Sequence, residues 1–222
     1  MSQEKWTSVD AYFNDLLMPP NKHLEAALTA SDAADLVPHA VAQNQGKLLM
    51  LLAQMQGART VLEIGTLGGY STIWLASGMP KDGRIVTLEV DSSYAEVART
   101  NVKNAGFAEQ VEVRVGPATE SLNALIEAEH PPFDLIFIDA DKPNNPIYFA
   151  GALKLSRPGT IIIADNVVRD GEVVNAASDD LRVQGVQKFT EMVAAEPRVH
   201  ATALQTVGEK GYDGFMLIRV ID

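Results

Sequence analysis

The chain has 222 residues, with 18 Lys and Arg against 29 Asp and Glu, a formal net charge of −11, 46% hydrophobic residues and no cysteine. This composition excludes a disordered or collagen-like chain and suffices for a single folded domain over 1–222. The missing thiols exclude disulfides, iron-sulfur clusters, Cys-ligated zinc and a cysteine nucleophile, and the acidic balance gives nucleic acid or anionic lipid no general attraction.

The N-terminal stretch MSQEKWTSVDAYFNDLLMPP carries acids and no apolar h-region. No export or membrane insertion is therefore expected, and a reducing cytoplasm fits. Apolar residues recur at helical spacing from Val9 through Tyr12, Phe13, Leu16 and Leu17, and Pro19-Pro20 breaks the run. A second helix is expected over Lys22–Thr29. A third is expected over Pro38–Gln54, with Pro38 in its first turn and Gly57 just past its end. These form an N-terminal helical extension, 1–57.

Beyond Gly57 the period changes. Short aliphatic runs at Thr60–Ile64, Arg84–Glu89, Val111–Val115, Phe133–Ile138 and Thr160–Ala164 read as strands, with helices near 70–78, 93–105, 118–129, 144–156 and 180–195. Alternation of this kind predicts an α/β core over 58–222, a doubly wound, mostly parallel sheet covered by helices on both faces. The last two runs, Ala201–Val207 and Gly214–Val220, are joined by a segment too short for a helical crossover. They should complete a seven-stranded sheet as an antiparallel edge pair.

The segment VLEIGTLGGYS joins a strand to a helix through Gly65, Gly68 and Gly69, which let the backbone approach a ligand closely. Glu89 ends the next strand, where a carboxylate can accept hydrogen bonds from both ribose hydroxyls of a nucleoside. The dinucleotide fingerprint G-x-G-x-x-G is absent, since Leu67 holds its second glycine position, and Glu63 precedes the turn. An anionic diphosphate is disfavoured and a cationic sulfonium is not.

FIDADKPNN and IIIADNVV each place acids at the end of a buried strand, on the rim where open α/β sheets bind ligands. Asp139, Asp165 and Asn166 make a hard, all-oxygen donor set suited to Mg²⁺, Mn²⁺ or Ca²⁺. Lys142 shares the first loop; a neighbouring cation disfavours its charged form and makes the neutral amine accessible as a base. The alternative is that these acids cap helices and Lys142 solvates the surface. Trp74 is assigned to the core. Tyr70 lies close enough to the turn to touch a cofactor. The polar, glycine-marked stretch 167–180 reads as an irregular lid or a simple surface connection.

Together VLEIGTLGGYSTIWLA, VTLE, VEVRVGPA, FDLIFIDADK, GTIIIADNVV and the terminal YDGFML resemble the cation-dependent class I O-methyltransferases, the group of catechol and caffeoyl-CoA O-methyltransferases. The resemblance implies a Rossmann-like fold and an S-adenosylmethionine site at Val41, Glu63, Gly65, Tyr70, Ser71, Glu89, Ala118 and Asp139. It also implies a metal at Asp139, Asp165 and Asn166, Lys142 as the base, a small phenolic substrate and a homodimer. The animal catechol enzyme has a late glutamate that steadies the second hydroxyl; the matching region here, Thr206 to Gly208, offers none, and Glu209 lies just beyond it. The expected reaction is methylation of one oxygen of a vicinal dihydroxy-aromatic. A hydroxylated tRNA base is the rival acceptor, and a nicotinamide-dependent oxidoreductase the rival of another class.

Overall fold

Period-two alternation on the strands sorts their side chains into two cores, one on each face of a sheet. Leu62, Ile64, Ile136, Ile138 and Ile162 point to one face, and Val61, Leu135, Phe137 and Ile163 to the other. The structure, a computed structural model, describes residues 2–222. Three helices come first: α1 (Gln3–Leu17), α2 (Lys22–Ala33) and α3 (Gln43–Gln56). The alternating series follows as β1 (Thr60–Ile64), α4 (Tyr70–Ser77), β2 (Arg84–Glu89), α5 (Ser92–Asn104), β3 (Val111–Val115), α6 (Ala118–Glu127), β4 (Leu135–Ile138), α7 (Asn145–Lys154), β5 (Ile161–Asp165) and α8 (Leu181–Ala195). β6 (Val199–Gly208) and β7 (Gly211–Val220) close the chain.

The seven strands lie in the order β3-β2-β1-β4-β5-β7-β6. The first five are parallel, β7 runs antiparallel to β5, and β6 forms the edge against β7. This is the doubly wound, Rossmann-like arrangement with an antiparallel edge pair. Its carboxyl rim carries the ends of β1, β2, β4 and β5 side by side. Among the described residues no helix is long and apolar enough to cross a membrane.

The main differences from the sequence-based elements lie at their boundaries. α3 begins at Gln43 instead of Pro38, so Pro38 is not a first-turn residue; Ala42 is extended at the N-cap, with φ −61° and ψ 154°. Residues 38–42 instead enter the helix as an open segment on the wall of the main cavity. Gly57 does end α3, in the left-handed conformation at φ 63°. α2 runs four residues beyond Thr29, and α1 starts six residues before Val9. β4 begins at Leu135, two residues after Phe133, and the Asp134 carboxylate just before it accepts the Arg59 and Thr60 N–H groups at 2.8 and 3.0 Å. The stretch 167–180 is not wholly irregular, since Arg169–Val174 forms 3₁₀ turns broken at Asp170 and Gly171.

Candidate active site

One cavity of about 1120 Å³ opens on the carboxyl rim, bounded by the glycine turn, the ends of β2, β4 and β5, and residues 38–42. Its floor is built by close backbone approach. Gly65, at φ 103°, sits where an added Cβ would lie 2.1 Å from the Asp139 carbonyl oxygen, so no side chain fits where the ends of β1 and β4 meet. Leu67 also takes positive φ, at 49°, and its N–H donates to Glu89 Oε2 at 2.7 Å. The Asp91 N–H donates to Glu89 Oε1 at 3.0 Å. The acid at the end of β2 is thereby fixed against the turn with acceptor capacity left on both oxygens.

Of the residues expected to contact a cofactor, Val41, Gly65, Tyr70, Ser71, Glu89, Ala118 and Asp139 line this cavity. Glu63 does not. It lies fully buried beneath the turn, accepting hydrogen bonds from Ser71 Oγ at 2.7 Å, Thr72 Oγ1 at 2.5 Å and Thr87 Oγ1 at 2.6 Å. Burial pushes its carboxyl up to about 7, against the pull of those three hydroxyls. Glu63 therefore reaches the cavity through Ser71. Trp74 packs in the core, its ring edge-on to Tyr70 at 6.4 Å.

Asp139, Lys142, Asp165 and Asn166 share the wall formed by the β4 and β5 ends. Lys142 Nζ donates to Asp139 Oδ1 at 3.0 Å and is buried. α8 clamps its loop: an added Cβ on Gly185 would lie 2.2 Å from the Lys142 carbonyl oxygen. Burial first, and the Asp139 carboxylate second, push Asp165 well above the ordinary carboxylate range; Lys142 opposes both. Two carboxylates crowded in this way are a place for added positive charge. Among the described residues no group of three or more His, Cys, Asp and Glu side chains could hold a metal, so any ion here would rest on two carboxylates and an amide oxygen. That donor set fits a hard divalent cation and does not fit zinc.

Several cavity residues had no reading from sequence. Gln45 lies close enough to Asp165 to pull its carboxyl down against the effect of burial. Tyr148, one turn into α7, donates its hydroxyl to Asp141 Oδ1. Arg182 and Lys210 also line the cavity, from segments whose approach no local pattern announces, and Arg169 lines it from the stretch 167–180 that the sequence offered as a lid or a surface connection. Glu209 sits in the two-residue turn between β6 and β7, its N–H held by Asp10 Oδ2 at 2.8 Å. It lies near enough to Tyr70 to help burial raise that phenol.

Comparison with known proteins agrees with this geometry. The model of a family described as O-methyltransferase matches residues 21–221. A catechol O-methyltransferase of Niastella koreensis is 49% identical over 217 residues, covering 98% of either chain. Among solved structures, the O-methyltransferase from Bacillus cereus in complex with SAH superposes with a TM-score of 0.97 at 57% identity, covering 99% of this chain and 100% of that one. The O-methyltransferase TomG from Streptomyces achromogenes, in complex with SAM, superposes at 0.96 with 50% identity and full coverage of both chains.

Proposed function

We propose, from the premise that this chain belongs to the O-methyltransferase family, that it moves the methyl group of S-adenosylmethionine to one oxygen of a vicinal dihydroxy-aromatic molecule in a divalent-cation-dependent reaction. The observation that carries this reading is the grouping of Asp139, Asp165, Asn166 and Lys142 on one cavity wall, beside the turn held by Glu89.

Glu89 would accept the ribose hydroxyls, while Val41, Gly65, Tyr70 and Ala118 shape the cofactor's bed and Ser71, backed by Glu63, presents a fixed hydroxyl. Asp139, Asp165 and Asn166 would hold the cation, with Mg²⁺ the first choice and Mn²⁺ or Ca²⁺ compatible with the same oxygens. When bound, such an ion lowers the pKa of a chelated hydroxyl and fixes the acceptor in place. Lys142 takes the hydroxyl proton at Nζ, a role that requires it to release Asp139. The new carbon–oxygen bond forms as the carbon–sulfur bond breaks, leaving a mono-methoxy phenol and S-adenosylhomocysteine. The buried setting of Lys142 keeps competing water away.

The same reading makes the protein a cytoplasmic homodimer acting on free phenols. α1 exposes Tyr12, Leu16 and Leu17, each more than 60% accessible, a stripe that a second copy would cover. A net charge of −11 favours neither tRNA nor membrane as partner. A monomer by light scattering at micromolar concentration would remove the dimer from this reading.

The test is methylation of a catechol panel, read by mass spectrometry, with Mg²⁺, after stripping with a strong chelator, and after Mg²⁺ is restored. Activity should vanish and return; full speed in chelator overturns the cation dependence. Lys142→Ala should lower kcat by about a hundredfold or more, while S-adenosylmethionine affinity by calorimetry stays within about threefold. Equal losses in both would remove Lys142 from the role of base.

A further inference from the structure

The glycine turn is wedged between two helices, and neither belongs to the wall that carries Asp139 and Asp165. α5 lies on one side. Its N-cap residue Asp91 gives an N–H to Glu89, and an added Cβ on Gly69 would meet Ala98 of the same helix at 3.4 Å. α2 lies on the other side, where an added Cβ on Gly68 would fall 2.0 Å from Ser31 Oγ and 3.1 Å from Ser31 Cβ. The room that Gly68 leaves is taken by α2.

Asn101 ties these three elements together. It stands in the buried stripe of α5 with Ala95, Ala98 and Val102, where an amide is costly unless its polar atoms are matched. Its donors are matched. Nδ2 carries two hydrogens, and two backbone carbonyls accept them: Gly68 at 2.9 Å, in the turn, and Ala27 at 3.3 Å, in α2. Ser31 Oγ donates to the same Ala27 carbonyl at 2.8 Å. The carbonyl that Asn101 grips and the hydroxyl that presses on Gly68 therefore meet at one point of α2.

α2 has a narrow apolar anchorage, since of its 12 residues only Leu24 and Ala27 are buried. Yet it walls the cavity. Leu28, Ser31 and Asp32 line it from the helix and Leu36 from the segment that follows, so a molecule seated there is covered by α2 for as long as α2 rests on the turn. Asn101 does not itself line the cavity. Its influence on anything bound passes through Gly68 and α2.

We propose that Asn101 is a positioning residue for the cofactor: its amide clasps α2 to the glycine turn, and that clasp sets how long S-adenosylmethionine stays bound. The proposal rests on the reading of this cavity as the seat of that cofactor in methyl transfer.

The experiment compares the full chain with Asn101→Leu, a variant of nearly the same shape that has no donor. Calorimetry with S-adenosylhomocysteine should show the dissociation constant raised about fivefold to tenfold, the size of one lost hydrogen bond that leaves a buried carbonyl unmatched. With catechol and Mg²⁺, KM for S-adenosylmethionine should rise by a similar factor, while kcat at saturating cofactor falls no more than about threefold. Amide exchange in the cofactor-free protein should quicken several-fold in α2, with the parallel strands unaffected. Asn101→Ala extends the alanine stripe and favours the helix, so it keeps the test open should the leucine variant fail to fold.

Gly68→Ala approaches the same junction from the turn. Gly68 lies at negative φ, so alanine meets no backbone strain there, and its methyl group should push against Ser31 and weaken S-adenosylhomocysteine several-fold. Adding Ser31→Gly removes the two atoms in its way and should restore at least half of that loss. A methyl group that struck the cofactor itself would gain nothing from the second change. Folded Asn101 variants that hold S-adenosylhomocysteine as tightly as the parent, or that lose kcat as heavily as affinity, overturn the proposal. Unchanged exchange in α2 overturns it as well, as does a Gly68→Ala defect that Ser31→Gly leaves in place. Each of these failures spares the methyl-transfer reading, because the unaltered chain still binds cofactor and turns over catechol. An unaltered chain that binds neither S-adenosylmethionine nor S-adenosylhomocysteine removes both.

Discussion

Replacing Glu63 by glutamine should make the cofactor-free protein more stable at alkaline pH and leave it little changed in mild acid. Glu63 is wholly buried, and burial raises its carboxyl from 4.5 to about 7. Between those values the folded chain keeps a proton that the unfolded chain has released, so stability falls as pH rises through the window. It is flat below the unfolded pKa and above the folded one. At about 1.4 kcal/mol per pH unit the whole effect is about 3 kcal/mol, of which about 2.5 kcal/mol falls between about pH 5 and pH 8. The glutamine side chain has no proton to lose. It keeps the shape, and its carbonyl oxygen can accept from Ser71 or Thr72, while its amide faces the linked Thr87 and Thr66 hydroxyls, 2.6 Å apart. Mismatched hydroxyls cost about 1 kcal/mol, and that cost does not change with pH.

The assay is urea unfolding followed by circular dichroism, on both proteins, at the two pH values and without cofactor. The quantity compared is the difference between variant and parent at each pH, which cancels every other titrating group. That difference should move in favour of the variant by about 2.5 kcal/mol on going from acid to alkali. In a melt this is a relative gain of about 5–10 °C for a chain of this size. A difference that stays constant, or moves the other way, would show that the three hydroxyl donors already hold Glu63 ionised and that burial is not the dominant influence.

The strands and the edge pairing were legible because each strand carries its own signal, a short apolar run ended by an acid or a glycine. Asp139 and Asp165 could be placed on one rim from sequence because successive parallel strands must bring their carboxyl ends to the same side. What could not be read is what reaches that rim from elsewhere. Lys210 depends on the β6–β7 turn arriving beside Pro38, and Arg169 on a left-handed backbone that its own residue type disfavours. Residues 38–42 defeated the reading for a different reason. Pro38 looks like a first-turn proline, but local propensity does not register that this segment must stay open to line the cavity. The position of Glu63 shows the same limit at closer range: sequence placed it at the turn, while the hydroxyls that bury it come from α4 and β2.

Gly65→Ala should lose both stability and cofactor binding, since its Cβ would lie 2.1 Å from the Asp139 carbonyl at φ 103°. A loss of about 2–3 kcal/mol in urea is expected, and normal S-adenosylmethionine affinity in a fully folded variant would refute the close-approach argument. Asp10→Ala tests how α1 is attached. Asp10 is buried and accepts from Asn44 Nδ2 at 2.9 Å and from the Glu209 N–H at 2.8 Å, while Gln3 Nε2 donates to the Gly208 carbonyl at 2.8 Å. Alanine leaves an amide and a backbone N–H without their acceptor, at a cost of about 1–3 kcal/mol. The loss should be local: amide exchange should quicken in α1 and in the Glu209–Lys210 turn, with the parallel strands unaffected. Unchanged protection in α1 would mean that the helix is held by its apolar contacts alone, and that the polar attachment is incidental.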